Sequence, residues 1–509
     1  MRPDTDHELL ELASIGHLLR RRAGEHPYRR FLRDTRGRAM TLAQVDAESD
    51  ALAARVEACG IGSGDRVAIF VPNGIWWPIA WFALAKLGAV AVPLNPKGGP
   101  HDVGHVIASS GAAVAIVDPG LEQPEPLRGL AAVAVGVESA PARAATTGLD
   151  GVERSALMNV QYTSGTTGLP KGVMLSHDYW LRLGAIAATF AQLTPDDVVV
   201  TVQPFHYLDP QWTTIMCLAA GAELVIEPAF SASRFWRSVI DHRATFAYLI
   251  GTMPQLLFKQ PPNPALDRGH RLRLVACSGI PPQMHAAFEE RWGVRFREAY
   301  GMTETGVDLL IELGDEASVG SGAVGRPVAG KQVRVVDEEG RPLPDGVVGE
   351  LVVRGRPRME GYWGDPAATA RAIRDGWLHT GDLAVRDETG AFRLVGRIKD
   401  MIRRGGENIA AAEVEHVLCE HPSVRAAAVL AVPDELRGEE VLAFLQPVER
   451  PVAEREILAH VTSRLAPFKA PRYLRWVDEF PLTPSERIAK HLLVDPDEDP
   501  LQGAWDALG

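Results

Sequence analysis

Short β-branched runs alternate with alanine-rich stretches through the first half of the chain. Residues 67–71, 89–92, 113–117 and 224–226 are such runs. This alternation predicts α/β layers around mixed or parallel sheets. The most apolar stretch, residues 76–92, is interrupted by Pro78, Lys86 and Gly88. It falls short of a membrane span and predicts a buried helix followed by a strand. Residues 122–151 turn to Pro, Ala, Gly and Thr with little pattern and read as a variable surface stretch. Past Gly320 glycines punctuate short strands, at 332–336 and 350–353, which predicts a smaller β-rich subdomain. A further break falls at Gly396-Arg397-Ile398-Lys399-Asp400, followed by a predicted helix near 412–420, a strand at 426–432 and a second helix near 453–465. The expected fold class is α/β: a large N-terminal domain of mixed αβ layers with a β-rich subdomain over residues 1–396, and a small α+β domain over 397–509.

Composition narrows the class. A chain of 509 residues with 46% hydrophobic and 23% charged positions has ample length for a large core and an ordinary soluble balance. A net charge of −12 argues against nonspecific nucleic-acid binding, which needs clustered Lys and Arg to displace counterions. Cys59, Cys217, Cys277 and Cys419 are far apart with no C-x-x-C pair, so neither zinc nor a disulfide framework is expected and a reducing cytoplasm is the predicted setting. Asp4, Asp6, Glu8 and Glu11 interrupt the first apolar positions, which predicts no secretion signal.

The densest chemical signal is Thr163-Ser164-Gly165-Thr166-Thr167-Gly168-Leu169-Pro170-Lys171-Gly172. Its glycines and hydroxyl residues offer backbone and side-chain donors that can wrap a polyphosphate, with Lys171 as a point charge. It is no Walker loop, because Pro170 stands where that motif requires glycine. The string resembles the signature loop of the acyl-adenylate-forming superfamily, in its acyl-CoA ligase branch.

Further segments resemble that superfamily in matching order over nearly the whole chain. Tyr300-Gly301-Met302-Thr303-Glu304 is similar to its adenine and magnesium motif. The resemblance implies Tyr300 on adenine, Thr303 at the α-phosphate and Glu304 on Mg²⁺, a hard cation suited to a carboxylate. Ser278-Gly279-Ile280-Pro281 looks like the loop lining the purine, and Trp377-Leu378-His379-Thr380-Gly381-Asp382 like the ribose motif, with Arg397 also on the ribose side. The same resemblance makes Lys399 the hinge of a mobile C-terminal domain, and makes Gly405, Gly406 and Glu407 part of a loop serving the pantetheine arm of coenzyme A. Phe205-His206 matches the position closing the acid pocket. Amino-acid-activating relatives carry aspartate there, so His206 disfavours an amino-acid substrate, and Asp209 reads as a turn residue. Trp212, Met253, Gly301, Met302 and Val307 join Phe205 as acyl-pocket candidates. ATP or AMP, Mg²⁺ and coenzyme A are the implied cofactors; a carboxylic acid or acyl-adenylate is the implied substrate.

One segment departs from the pattern. Pro467-Phe468-Lys469-Ala470-Pro471 and Val477-Asp478-Glu479-Phe480-Pro481-Leu482-Thr483-Pro484 resemble the family, but relatives then usually read x-Gly-Lys where this chain reads Ser485-Glu486-Arg487. The lysine bridges carboxylate and α-phosphate during adenylation. A planar guanidinium is not equivalent to a compact ammonium, and loss of one positioned charge or donor costs roughly 3–4 kcal/mol. Thioester formation makes no such demand. The expectation is an enzyme strong in the second half-reaction and weak in the first, fed with adenylate by a partner ligase. Ordinary two-step activity, with Arg487 or Lys490 serving, is the alternative; a carrier-protein ligase and a non-catalytic adenylate-binding protein are the others.

Overall fold

The structure, a computed structural model, describes residues 9, 11–137, 148–163, 170–405, 407–482, 488–495 and 498–508. By internal contact the chain forms two units, Met1–Gln332 with Arg354–Arg374, and Val333–Val353 with Asp375–Gly509. This grouping draws the line differently from the 396/397 boundary. Strand Phe392–Arg397 belongs with the later residues because it packs on them: a Cβ added at Gly396 would lie 3.3 Å from the Ala410 side chain.

The first unit holds two large sheets. One runs in the order Gly361–Tyr362, Lys171–Ser176, Leu157–Thr163, Val90–Pro93, Arg66–Phe70, Val114–Val117, Ala131–Ala134. Its central pairs are parallel, as the alternating pattern predicts. The apolar stretch becomes helix Trp76–Leu87 and strand Val90–Pro93. That helix is apolar on every side and is buried almost throughout, as such a sequence requires in water. Its Lys86 is admitted by Asp46 and Asp50, at 2.6 and 2.8 Å. Gly88 ends it at φ 68°, where a Cβ would come within 2.9 Å of Ser63 Oγ. Among the described residues no helix is long and apolar enough to cross a membrane.

The second sheet of this unit runs Arg326–Pro327, Gly306–Leu310, Arg295–Met302, Leu274–Ser278, Phe246–Ile250, Val198–Thr201, Glu223–Ile226, Arg30–Asp34, Ala39–Thr41. Residues 122–151 correct the sequence expectation. They carry helix Glu125–Arg128 and edge strand Ala131–Ala134, parallel to Val114–Val117. The strand escapes a sequence reading because alanine has little β-propensity and only Val133 of the four residues is buried.

The second unit begins with Val333–Val336 of strand Lys331–Val336, Gly349–Val353 of strand Gly349–Gly355, and Trp377–Arg386, the last paired with Phe392–Arg397. Its other sheet runs Glu407–Ala410, Met401–Arg404, Gly438–Pro447, Tyr473–Trp476, Trp505–Asp506, with Val424–Asp434 also on Gly438–Pro447. Helices Ala411–Cys419 and Glu454–Thr462 fall where periodicity predicts them and bury Val414, Leu418, Ile457 and Val461 against this sheet.

Candidate active site

The phosphate-loop candidate is flanked by two antiparallel strands. Strand Leu157–Thr163 leads in and Lys171–Ser176 leads out, with Thr163 opposite Lys171. Ser164, Gly165, Thr166 and Thr167 lie outside the described residues. Lys171 is exposed, and its Nζ stands 5.4 Å from the centroid of the Tyr362 ring. The Tyr362 hydroxyl donates to Glu304 Oε1 at 2.9 Å. Burial, and then the Glu304 charge, push this phenol well above its ordinary value, so it remains a donor. One tyrosine therefore links the loop lysine to the motif carboxylate.

The Thr303-Glu304-Thr305 backbone is held from behind at three successive carbonyls. Thr303 O accepts from the Tyr179 hydroxyl at 2.9 Å, Glu304 O from Met359 N–H at 2.7 Å, and Thr305 O from Lys331 Nζ at 2.7 Å. Lys331 in turn lies 2.9 Å from Asp308 Oδ1, both side chains fully buried, and the Thr305 hydroxyl donates to Asp308 Oδ2. The motif's backbone is thereby locked before any ligand arrives. Gly301 is obligatory: a Cβ would fall 1.8 Å from Gly306 O, where strand Gly306–Leu310 folds back and sets Val307 opposite Gly301 and Met302 opposite Gly306. Glu304, mostly buried, is a donor suited to Mg²⁺. No group of three or more His, Cys, Asp or Glu side chains among the described residues could hold a metal. A single carboxylate completed by substrate phosphates is the usual arrangement for that ion.

The purine-lining candidate is pinned to the same strand. Glu298, two residues before Tyr300, accepts the Gly279 and Ile280 N–H groups at 2.5 and 2.9 Å, and Ser278 Oγ donates to Ala299 O at 2.6 Å. Burial raises the Glu298 carboxyl to about 7 against the lowering pull of those two N–H groups. A carboxyl raised on folding binds its proton more tightly in the native state, so its contribution is present in acid and is lost as pH rises towards 7. Stability should therefore fall by on the order of 3 kcal/mol between about pH 4.5 and pH 8 through this group. Urea midpoints across that range should slope downward in the parent, and Glu298→Gln should flatten the slope; an unchanged slope would contradict the assignment.

Around the expected acid-closing position, Phe205 is turned inward. It is 1% exposed and stacks on Trp77 at 4.9 Å. His206 packs against Tyr207, at 4.2 Å between ring centroids, and its Nε2 is buried with no hydrogen-bond partner among the described residues. Burial first, and then Lys97, lower its imidazole to about 3, so it is neutral, with one ring nitrogen a donor and the other an acceptor. Its backbone is fixed by a chain of amides. Gln161 Nε2 donates to His206 O at 2.5 Å, and Gln211 Nε2 donates to Gln161 Oε1, Phe205 O and Tyr207 O at 2.9–3.0 Å. Asn159 joins Gln211 to the Trp81 indole. Trp212 lies edge-on to Tyr248 at 5.0 Å and donates to Asp209 Oδ1 at 3.2 Å. Tyr248 reaches Ser278 Oγ at 2.9 Å, joining the aromatic pair to the purine loop. Met253 and Ile280 are buried in the same core cluster. Tyr248, Tyr362, Lys331 and Glu298 were absent from the expected set, because none lies in a segment with a signature of its own.

On the second unit, Asp382 and Arg397 are register partners on adjacent strands, with Arg397 Nε 2.8 Å from Asp382 Oδ1. Thr380 braces the turn, donating to Leu351 O and accepting from Asp382 N–H, while Glu350 accepts from Gly381 N–H. Lys399 lies in the 3₁₀ turn Ile398–Asp400. Gly405, at φ 58°, follows strand Met401–Arg404, and Glu407 opens the antiparallel strand Glu407–Ala410, opposite Arg404. Gly406, Ser485, Glu486 and Arg487 lie outside the described residues. Lys490 is engaged by Glu415, Nζ to Oε1 at 2.6 Å.

Comparison with known proteins identifies the class. Residues 19–363 match the family described as AMP-binding enzyme, and residues 413–487 its AMP-binding enzyme C-terminal domain. The chain belongs to this adenylate-forming family. It is 36% identical to a feruloyl-CoA synthase from Amycolatopsis sp, over 92% of this chain and 96% of that protein. It is 32% identical to a sulfoacetate–CoA ligase from Cupriavidus necator, over 97% and 100%. Among solved structures, o-succinylbenzoate CoA synthetase from Bacillus subtilis, in complex with its acyl-adenylate intermediate, superposes with a TM-score of 0.86 at 26% identity, covering 94% of this chain and 98% of that one. The protein is an acyl-CoA synthetase-type, adenylate-forming ligase that uses ATP or AMP and coenzyme A.

Proposed function

We propose that this ligase completes acyl-CoA thioesters readily but forms the acyl-adenylate slowly. The observation carrying this reading is Glu486-Arg487 in place of Gly-Lys. In the first half-reaction a carboxylate oxygen attacks the α-phosphorus of ATP and pyrophosphate leaves, while negative charge crowds the pentacoordinate phosphorus. A broad guanidinium with a carboxylate beside it is a poorer counter-charge there than one ammonium. In the second half-reaction the thiol sulfur attacks the adenylate's carbonyl carbon, AMP leaves and the thiol proton passes to solvent. Nothing in that step calls on residue 487. Lys490, the nearest substitute, is already paired with Glu415.

In this reading Thr163, Ser164, Gly165, Thr166, Thr167, Lys171 and Thr303 hold the phosphates, Glu304 supplies the carboxylate for Mg²⁺, and Gly279, Ile280 and Tyr300 meet adenine. Asp382 and Arg397 serve the ribose, Lys399 is the hinge of the C-terminal domain, and Gly405, Gly406 and Glu407 serve the thiol arm. His206 closes the acid site, with Trp212 and Tyr248 among its walls. A partner ligase in the same cytoplasm supplies the adenylate. The size of the aromatic side chains and the feruloyl-CoA synthase relative favour an aryl acid.

The test compares two starting points. Feruloyl-AMP with coenzyme A should yield thioester on the order of 100-fold faster than ferulate with ATP and coenzyme A. Equal rates would establish ordinary two-step activity instead. A rate with a phosphopantetheinylated carrier protein but none with free coenzyme A would establish a carrier ligase, and no turnover of any supplied adenylate a non-catalytic binder.

A further inference from the structure

The segment expected to face the thiol is anchored from beneath by one short stretch, residues 437–440. Gly405 N–H donates to Arg437 O at 2.8 Å, and Arg403 N–H donates to Glu439 Oε2 at 2.6 Å. Between them, Arg404 turns its guanidinium inward onto Glu440, with Nε 2.7 Å from Oε2 and Nη2 3.2 Å from Oε1. The far end of the fork donates to Phe468 O and Ala470 O at 2.8 and 3.1 Å. The Glu440 side chain is 0% exposed and that of Arg404 is 9%. Both charges have left water, and Glu440 Oε1 also accepts from Arg437 Nη1 at 3.1 Å.

The antiparallel pair Met401–Arg404/Glu407–Ala410 already has its ladder, and Ile402 and Ile409 bury its inner face. What the ion pair adds is the placement of residue 404, immediately before the glycine turn. We propose that Glu440, acting through Arg404, is a positioning residue for the thioester-forming half-reaction and for that step alone. The inference rests on the acyl-CoA ligase reading above. A turn left free to shift by an ångström loses the alignment of sulfur with the carbonyl carbon, while the groups that bind the adenylate belong to other segments.

The experiment uses the full chain and whichever of feruloyl-, benzoyl- and octanoyl-AMP the parent converts fastest with coenzyme A. Glu440→Gln keeps the shape and removes the charge. The double variant Arg404→Met with Glu440→Leu removes both charges together and so avoids an unpaired buried ion. Each variant should lose on the order of 100-fold in thioester formation from supplied adenylate. Affinity for the matching acyl-sulfamoyl-adenosine, a non-reacting adenylate mimic, should be unchanged in both. Glu440→Asp, which keeps the charge on a shorter stem, should recover part of the rate. Variants as fast as the parent would overturn the proposal, as would parallel losses of rate and mimic affinity, which denote a merely structural role. Failure of the parent itself to form thioester from any of the three adenylates would instead overturn the ligase reading beneath it.

Discussion

Arg487→Lys should raise pyrophosphate release from acid and ATP by on the order of 100-fold and leave the reaction of supplied acyl-AMP with coenzyme A unchanged. The split follows from where charge builds up. Adenylation gathers a carboxylate, an α-phosphate and a departing pyrophosphate around one phosphorus, and a single compact cation placed between them is favoured only as the new bond forms. An ammonium on a flexible stem can occupy that point, whereas a guanidinium spreads its charge over a planar fork and needs room for it. Glu486 beside it adds a repulsion that Glu486→Gly should relieve, so the double replacement should exceed the single one. The measurement is continuous pyrophosphate detection against a parallel thioester assay. A parent that already adenylates as fast as it thioesterifies, and a variant without gain, would show that arginine is adequate at this position.

Lys331→Met should be strongly destabilising at neutral pH, costing about 3–5 kcal/mol by removing the counter-charge of Asp308 in a dry interior, so that the carboxyl stays ionised alone or takes up a proton. Burial already pushes the Asp308 carboxyl above its ordinary value, against the pull of Lys331. Without that ammonium the carboxyl rises further, and the folded state gains a proton that the unfolded chain does not hold. Stability of the variant should therefore be greatest in acid and fall as pH rises beyond the ordinary carboxylate range, more steeply than in the parent. Because Lys331 also holds the Thr305 carbonyl, adenylate-mimic affinity should fall with it. Lys331→Met with Asp308→Leu should recover most of the stability, since no charge is stranded, but not the affinity. Thermal shift at several pH values with mimic titration separates the two effects, and a variant as stable as the parent at neutral pH would show that the pair is not load-sharing.

The candidate site was proposed from the sequence because the chemistry it would serve needs neighbours along the chain. Wrapping a polyphosphate takes consecutive backbone donors, so the loop from Thr163 to Gly172 and the Tyr300-to-Glu304 motif appear as uninterrupted strings. The Glu486-Arg487 departure is likewise visible in the letters. Layered α/β architecture was legible in the alternation of strand and helix patterns, and the buried helix Trp76–Leu87 in a run apolar at every position but Lys86. The edge strand Ala131–Ala134 was not, since its alanines have little β-propensity, only Val133 is buried, and its pairing comes from a neighbouring strand.

What holds those strings in working shape was set by the folded arrangement alone. Tyr362 reaches Glu304 across 58 positions, Tyr179 reaches Thr303 across 124, and Gln161 reaches the His206 backbone across 45. Glu298 and Lys331 carry no motif; each acquires its role because a strand order brings a buried charge beside unsatisfied backbone groups. A local string can specify which atoms meet a phosphate, since that contact is made by residues adjacent in the chain. The cost of burying a lone charge is met only by whichever partner the tertiary packing delivers.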